Sequence, residues 1–175
     1  MVALIPEQLL PEPLIRLEPG SKEPVVDAYE VESVETVREW VRTGGNVGVS
    51  LKDDLVVLDI DSEKMQYVVE EEVGFPETFS VLSGSWSGHH EYFRCPDWDA
   101  NKQFSDDSED VGSIRSTGWQ VAAPPSTHPS GSRYRVLHDA PIREVGPERF
   151  AELVDALNLD GDQDGDGPHF GDTHE

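Results

Sequence analysis

The chain has 175 residues, of which 36% are hydrophobic and 28% charged: enough apolar material for one domain with a proper core, too little for two comfortable ones. Its single cysteine, Cys95, excludes an internal disulfide, and no stretch is apolar over the length of a membrane helix. With 36 Asp and Glu against 13 Lys and Arg, the net charge of −23 removes any basic patch as a guide to partners.

The acidic residues are spread along the whole chain rather than gathered in one tail. That distribution suits a surface adapted to molar salt, where self-repulsion is screened within about 3 Å; the alternative is an ordinary solvated acidic surface. Long-range steering of DNA is lost in molar salt in any case, so acidity does not exclude a nucleic-acid partner.

In chain order, the first thirty residues are Pro-rich and irregular. They are broken by Pro6, Pro11 and Pro13 and end in the turn-like stretch from Pro19 to Pro24. They read as neither a signal peptide nor a membrane span, so a cytoplasmic protein is expected. Ser33 caps a predicted helix with Val34, Val37, Trp40 and Val41 on one stripe, closed by Gly44 and Gly45. Asn46 to Ser50 and Leu55 to Asp61 read as short strands joined by a polar turn. Ser62 opens a second helix with Met65, Val68 and Val69 inward, stopped by Gly74 and Pro76. Further strands are predicted at 79–83, 90–94, 112–115, 119–123 and 133–137, with a Gly/Ser loop at 83–88 and an acidic, mobile loop at 97–110. Pro147 starts a last helix burying Phe150, Leu153, Val154 and Leu157. Residues 1–158 are thus read as one domain with an α/β or α+β sheet covered on at least one face, and 159–175 as a disordered acidic tail.

Asp59 and Asp61 lie two residues apart on an apolar strand, so they share one face. Two carboxylates so placed repel each other unless a cation sits between them, and hard oxygen ligands suit Mg²⁺ or Mn²⁺, which also bind substrate phosphates. The alternative is a strand that ends in two solvated turn carboxylates. Next, the small residues ending at Gly88 let backbone approach a ligand closely and feed a strand that starts near His90. His90 can contact a triphosphate there and Arg94 offers a second positive group; a lone histidine is otherwise a core or surface residue. Pro124 and Pro125 then stiffen a loop that holds Ser126 and His128.

The order of these parts (Lys22-Glu23-Pro24, Asn46-Val47-Gly48-Val49, Leu58-Asp59-Ile60-Asp61, Gly88-His89-His90-Glu91-Tyr92-Phe93, Ala123-Pro124-Pro125-Ser126-Thr127-His128) resembles the N-terminal domain of bifunctional DNA primase–polymerases, of the archaeo-eukaryotic primase superfamily. The resemblance runs roughly from Leu14 to Leu137 and suggests a haloarchaeal or halovirus-like member. It implies an α+β fold with an RRM-like catalytic sheet, helices packed on it and a small N-terminal unit. It also implies nucleotidyl transfer with two metal ions, Mg²⁺ or Mn²⁺. On that resemblance Asp59 and Asp61 are the first metal motif and, with His90, the catalytic set. Gly88, His90, Arg94, Arg115, Ser126 and His128 form the nucleotide site. Implied partners are a nucleoside triphosphate, a DNA template and a separately encoded helicase, with no membrane.

One departure from the family pattern matters. The third motif carries an Asp or Glu two residues before an Arg, and here that position is Ser113, ahead of Arg115. Asp110 is three residues away and on a regular strand would face the other side; only a bulge could bring it in. A catalytically silent nucleotide- or nucleic-acid-binding replication module is therefore the alternative, and a metal-dependent phosphoesterase a third. The tail segment Asp162 to Gly167 mimics the start of an EF-hand loop, but Thr173 stands at its twelfth position. His169 and His174 lack ligand spacing, and Trp86 and Trp119 are read as half-buried aromatics with base stacking as the alternative.

Overall fold

A computed structural model describes residues 4–26, 30–84 and 88–158. The predicted tail, with its EF-hand-like segment and two histidines, and Trp86 lie outside them. Among the described residues no helix is long and apolar enough to cross a membrane.

The fold is α+β. Strand β3 (Leu55–Ile60) explains the layering, since five of its six residues are apolar and both of its faces are covered. Leu55 and Val57 point into one core, Val56, Leu58 and Ile60 into another. The first core lies between β3 and a three-stranded sheet of β1 (Leu14–Leu17), β2 (Asn46–Ser50) and β8 (Gln120–Ala123). The second lies under the helices, where Phe150 meets Phe75 at 5.3 Å and Trp98 at 5.4 Å between ring centres. β3 itself is central in a seven-stranded sheet of order β6–β7–β3–β5–β4–β9, which comprises β4 (Ser80–Leu82), β5 (His89–Arg94), β6 (Lys102–Asp106), β7 (Glu109–Arg115) and β9 (Arg135–His138). All its pairings are antiparallel except the short β10 (Arg143–Glu144), which runs parallel to the end of β5.

Helix α1 (Val34–Arg42) is capped as expected: the Thr36 N–H donates to the Ser33 hydroxyl at 3.2 Å. Only Val37 of its stripe is fully buried, and the Trp40 indole donates to the Leu17 carbonyl at 2.8 Å. Helix α2 (Glu63–Tyr67) starts at Ser62, continues as a π-helical turn over Val68–Val73 and stops where Gly74 adopts φ +82°. α3 (Pro147–Asn158) buries Phe150, Leu153 and Leu157.

Two expectations are corrected. The irregular N-terminal region contains β1, which pairs with β2 from Leu14↔Val49 to Leu17↔Asn46. The acidic loop at 97–110 holds most of a hairpin, β6–β7, closed by Asp107 and Ser108, both at positive φ (+53° and +70°), as a two-residue hairpin turn of matching twist requires. Its acidity reflects an exposed edge, not absence of structure.

Candidate active site between the two sheets

The face of the large sheet that looks toward β1–β2–β8 is apolar at one end and polar at the other. Leu55, Val57, Val81 and Tyr92 fill the first core. One step further along the same face, Asp59 is flanked by its register partners His90 on β5 and Ser113 on β7. Two-residue periodicity thus turns an apolar core into a polar row without any change of direction in the chain.

The row forms an ion-paired group. His90 Nε2 and Arg115 Nη2 each stand 3.5 Å from a different oxygen of Asp59. Arg115 Nε donates to the Ser113 hydroxyl at 3.2 Å, and its guanidinium lies over the Trp119 ring at 4.6 Å. These groups open onto a cavity of about 660 Å³, walled also by Lys22 and Tyr134. His90 is 7% exposed, and its Nδ1 has no hydrogen-bond partner among the described residues. Burial lowers its pKa, against the pull of Asp59, which favours the neutral ring.

Asp61 lies one residue past β3, with its N–H donating to the Val111 carbonyl at 3.2 Å. A Cβ on Gly88 would stand 2.7 Å from an Asp61 carboxylate oxygen and 2.8 Å from the Ile60 carbonyl, so glycine there leaves the space this carboxylate occupies. Burial, then Asp59, then Asp110 push its pKa up to about 7; the Asp110 side chain is within hydrogen-bonding contact. Asp110 arrives there because β7 is bulged: Gly112 pairs with Phe104, but Asp110 pairs with Ser105, and Val111 is the extra residue.

The predicted site residues divide into two groups. Asp59, His90 and Arg115 line the cavity, with Asp61 and Gly88 beside them. Arg94 does not join them: at the far end of β5 it is ion-paired with Glu12 and with Asp54, the latter at 3.1 Å. Ser126 is 1% exposed and spends its hydroxyl on Val47, donating to its carbonyl at 3.0 Å and accepting from its N–H at 2.8 Å. That clamp ties the Pro124–Pro125 loop to β2. The His128 ring lies behind Tyr134, 5.8 Å between ring centres, and its Nδ1 accepts from the Ser130 N–H at 3.0 Å. Lys22, Trp119 and Tyr134 are cavity residues that the predicted site residues did not include. One signal could have found two of them: residues 112–138, which include Arg115, Trp119 and Tyr134, contain no Asp or Glu in a chain that carries 36.

Among the described residues no three His, Cys, Asp or Glu side chains stand together as a ready metal cage. Asp59 and Asp61, the carboxylates expected to hold a divalent cation, lie at the end of β3 and one residue past it. Asp59 is already ion-paired with His90 and Arg115, Gly88 leaves room beside Asp61, and the His90 nitrogen without a partner among the described residues is Nδ1, not the Nε2 that faces Asp59. Comparison with curated proteins gives no match. A family profile described as "Bifunctional DNA primase/polymerase, N-terminal" matches residues 9–149, which takes in every strand from β1 to β10 and the whole cavity, and the chain belongs to that family.

Proposed function

We propose that the cavity binds a nucleoside triphosphate and that the protein carries out template-directed nucleotidyl transfer in DNA replication. The observation that carries this reading is the convergence of Asp59, His90, Arg115 and Lys22 on one cavity in a member of this family. Arg115 presents a fork of donors suited to phosphate oxygens, and Lys22 adds a second positive group at the rim. His90 lines the cavity, and its neutral ring, favoured by burial, can donate to or accept from a bound phosphate. Trp119, its face already covered by Arg115, and Tyr134 give the cavity flat walls for a base or sugar. The run without acidic residues at 112–138 keeps like charge away from an incoming polyanion. Asp59 and Asp61 would hold Mg²⁺ or Mn²⁺, which when bound neutralises charge on the phosphates and favours attack on the α-phosphorus. The RRM-like reading of the catalytic sheet and the adaptation to molar salt belong to the same proposal.

Ser113 favours a second reading. It stands opposite Asp59 where the family pattern has a carboxylate, and its hydroxyl accepts from Arg115, so the chain could bind nucleotide without turning it over. Primer extension and de novo synthesis in high KCl with Mn²⁺ separate the two. Wild type is expected to extend primers, and Asp59→Ala to lose about 10²-fold or more of that activity. A wild type that binds nucleoside triphosphate but extends nothing establishes the silent module. Release of phosphate without extension points to a phosphoesterase.

A further inference from the structure

Arg115 is held from three sides at the cavity wall. Its Nε donates to the Ser113 hydroxyl at 3.2 Å, its Nη2 stands 3.5 Å from Asp59, and the Trp119 ring covers one face of the guanidinium at 4.6 Å. Two of these partners, a hydroxyl and an indole ring, carry no charge. The third is a carboxylate standing well beyond the roughly 2.7–2.9 Å of a close charge-assisted hydrogen bond. The guanidinium is therefore fixed in place without being neutralised, and Nη1 takes part in neither polar contact. A cation restrained in this way, with part of its fork unused, is preorganised for an anion.

A second cation reaches the same cavity from elsewhere in the chain. Lys22, exposed in the turn that follows β1, is one of the lining residues. Its charge and that of Arg115 both oppose protonation of His90, so the two fields meet at the inner wall. Carboxylates are sparse there. Among the described residues that line the cavity only Glu23 and Asp59 are acidic, Asp59 is the one paired with Arg115, and Asp61 is not among them. Asn101, Thr117 and Gln120 add hydrogen-bonding groups without charge. In a chain of net charge −23, the lining thus sets two cations against two carboxylates.

We propose that Arg115 and Lys22 bind the phosphates of a nucleoside triphosphate directly, so that the cavity fills without a divalent cation. This inference rests on the nucleotide reading of the cavity and adds to it that a cation serves the transfer step, not occupancy. Ser113 is what permits this, because a carboxylate in its place would pair with the Arg115 Nε and neutralise the guanidinium.

The test is equilibrium dialysis of the whole chain against each common ribo- and deoxyribonucleoside triphosphate in one KCl buffer, with EDTA or with Mn²⁺. Melting curves show that each variant is folded. For the triphosphate bound most tightly, affinity in EDTA is expected within about 3-fold of that in Mn²⁺. Arg115→Gln should weaken binding in EDTA about 10-fold or more, and Lys22→Gln about 3-fold. Ser113→Asp keeps Arg115 but neutralises it, and should also weaken binding in EDTA about 10-fold or more. Arg135→Gln, which removes an exposed cation from β9 outside the cavity, should leave it within about 2-fold. Triphosphate bound in Mn²⁺ but not in EDTA overturns this inference and leaves the nucleotide reading standing. Binding in EDTA that survives both Arg115→Gln and Ser113→Asp unchanged takes the phosphates away from Arg115 and overturns it too. A wild type that binds no triphosphate in either buffer overturns both readings.

Discussion

At Gly112 β7 lies close against the segment that carries the two aspartates, and replacing it tests how tightly that approach is made. A Cβ there would lie 2.5 Å from the Asp59 carbonyl oxygen and 2.3 Å from Met65 Sδ. The methionine end can swing away; the backbone carbonyl cannot without displacing β3. Gly112→Ala therefore carries two costs: about 2 kcal/mol for an alanine at φ +146° and about 2 kcal/mol for overpacking. Gly131 is the matched control, since it has φ +99° and nothing within 4 Å of its added Cβ, so Gly131→Ala carries only the first cost. For a domain of this size 1 kcal/mol moves Tm by about 3 °C, which places Gly112→Ala about 12 °C and Gly131→Ala about 6 °C below wild type. Thermal melts followed by circular dichroism in one high-KCl buffer measure both. If the two variants melt within about 2 °C of each other, the close approach of β7 to β3 contributes nothing and the reasoning fails.

Ser126→Ala should act as a fold variant, not a nucleotide-site variant. It strands the buried N–H and carbonyl of Val47, costs about 2 kcal/mol in a urea titration, and leaves nucleotide affinity unchanged; weakened affinity in a protein of wild-type stability would return Ser126 to the site. Asp61→Asn should alter how stability depends on pH. With its folded pKa raised to about 7 from 3.8, Asp61 favours the folded state when protonated, so its contribution is full below pH 4 and is lost as pH rises through 7. In the absence of divalent cations, the stability of wild type relative to Asp61→Asn should therefore fall between pH 4 and pH 8, and a difference that stays flat across that range refutes the cause assigned to the shift.

The sequence by itself determined the elements whose signals are local. The Ser33 and Ser62 caps, the stop at Gly74 and the apolar run of β3 each act within a few residues, so spacing alone predicts them. Asp59 and His90 likewise sit at the polar ends of otherwise buried strands, where strand position alone places them, and the fold brings both to one cavity. Charge was a poor guide to the hairpin β6–β7, because an exposed edge strand and a solvated loop share one composition. Arg94 looked like a phosphate ligand until the fold brought Glu12 and Asp54 to it from remote positions. Only the tertiary structure decided which face Asp110 takes, since strand parity is a local rule and a single extra residue, held by Gly112 and the Val111 carbonyl, reverses it. The cavity is likewise a tertiary product. Lys22, Asp59, Arg115 and Tyr134 come from separate parts of the chain, and the packing of one sheet over another gathers them around a single space.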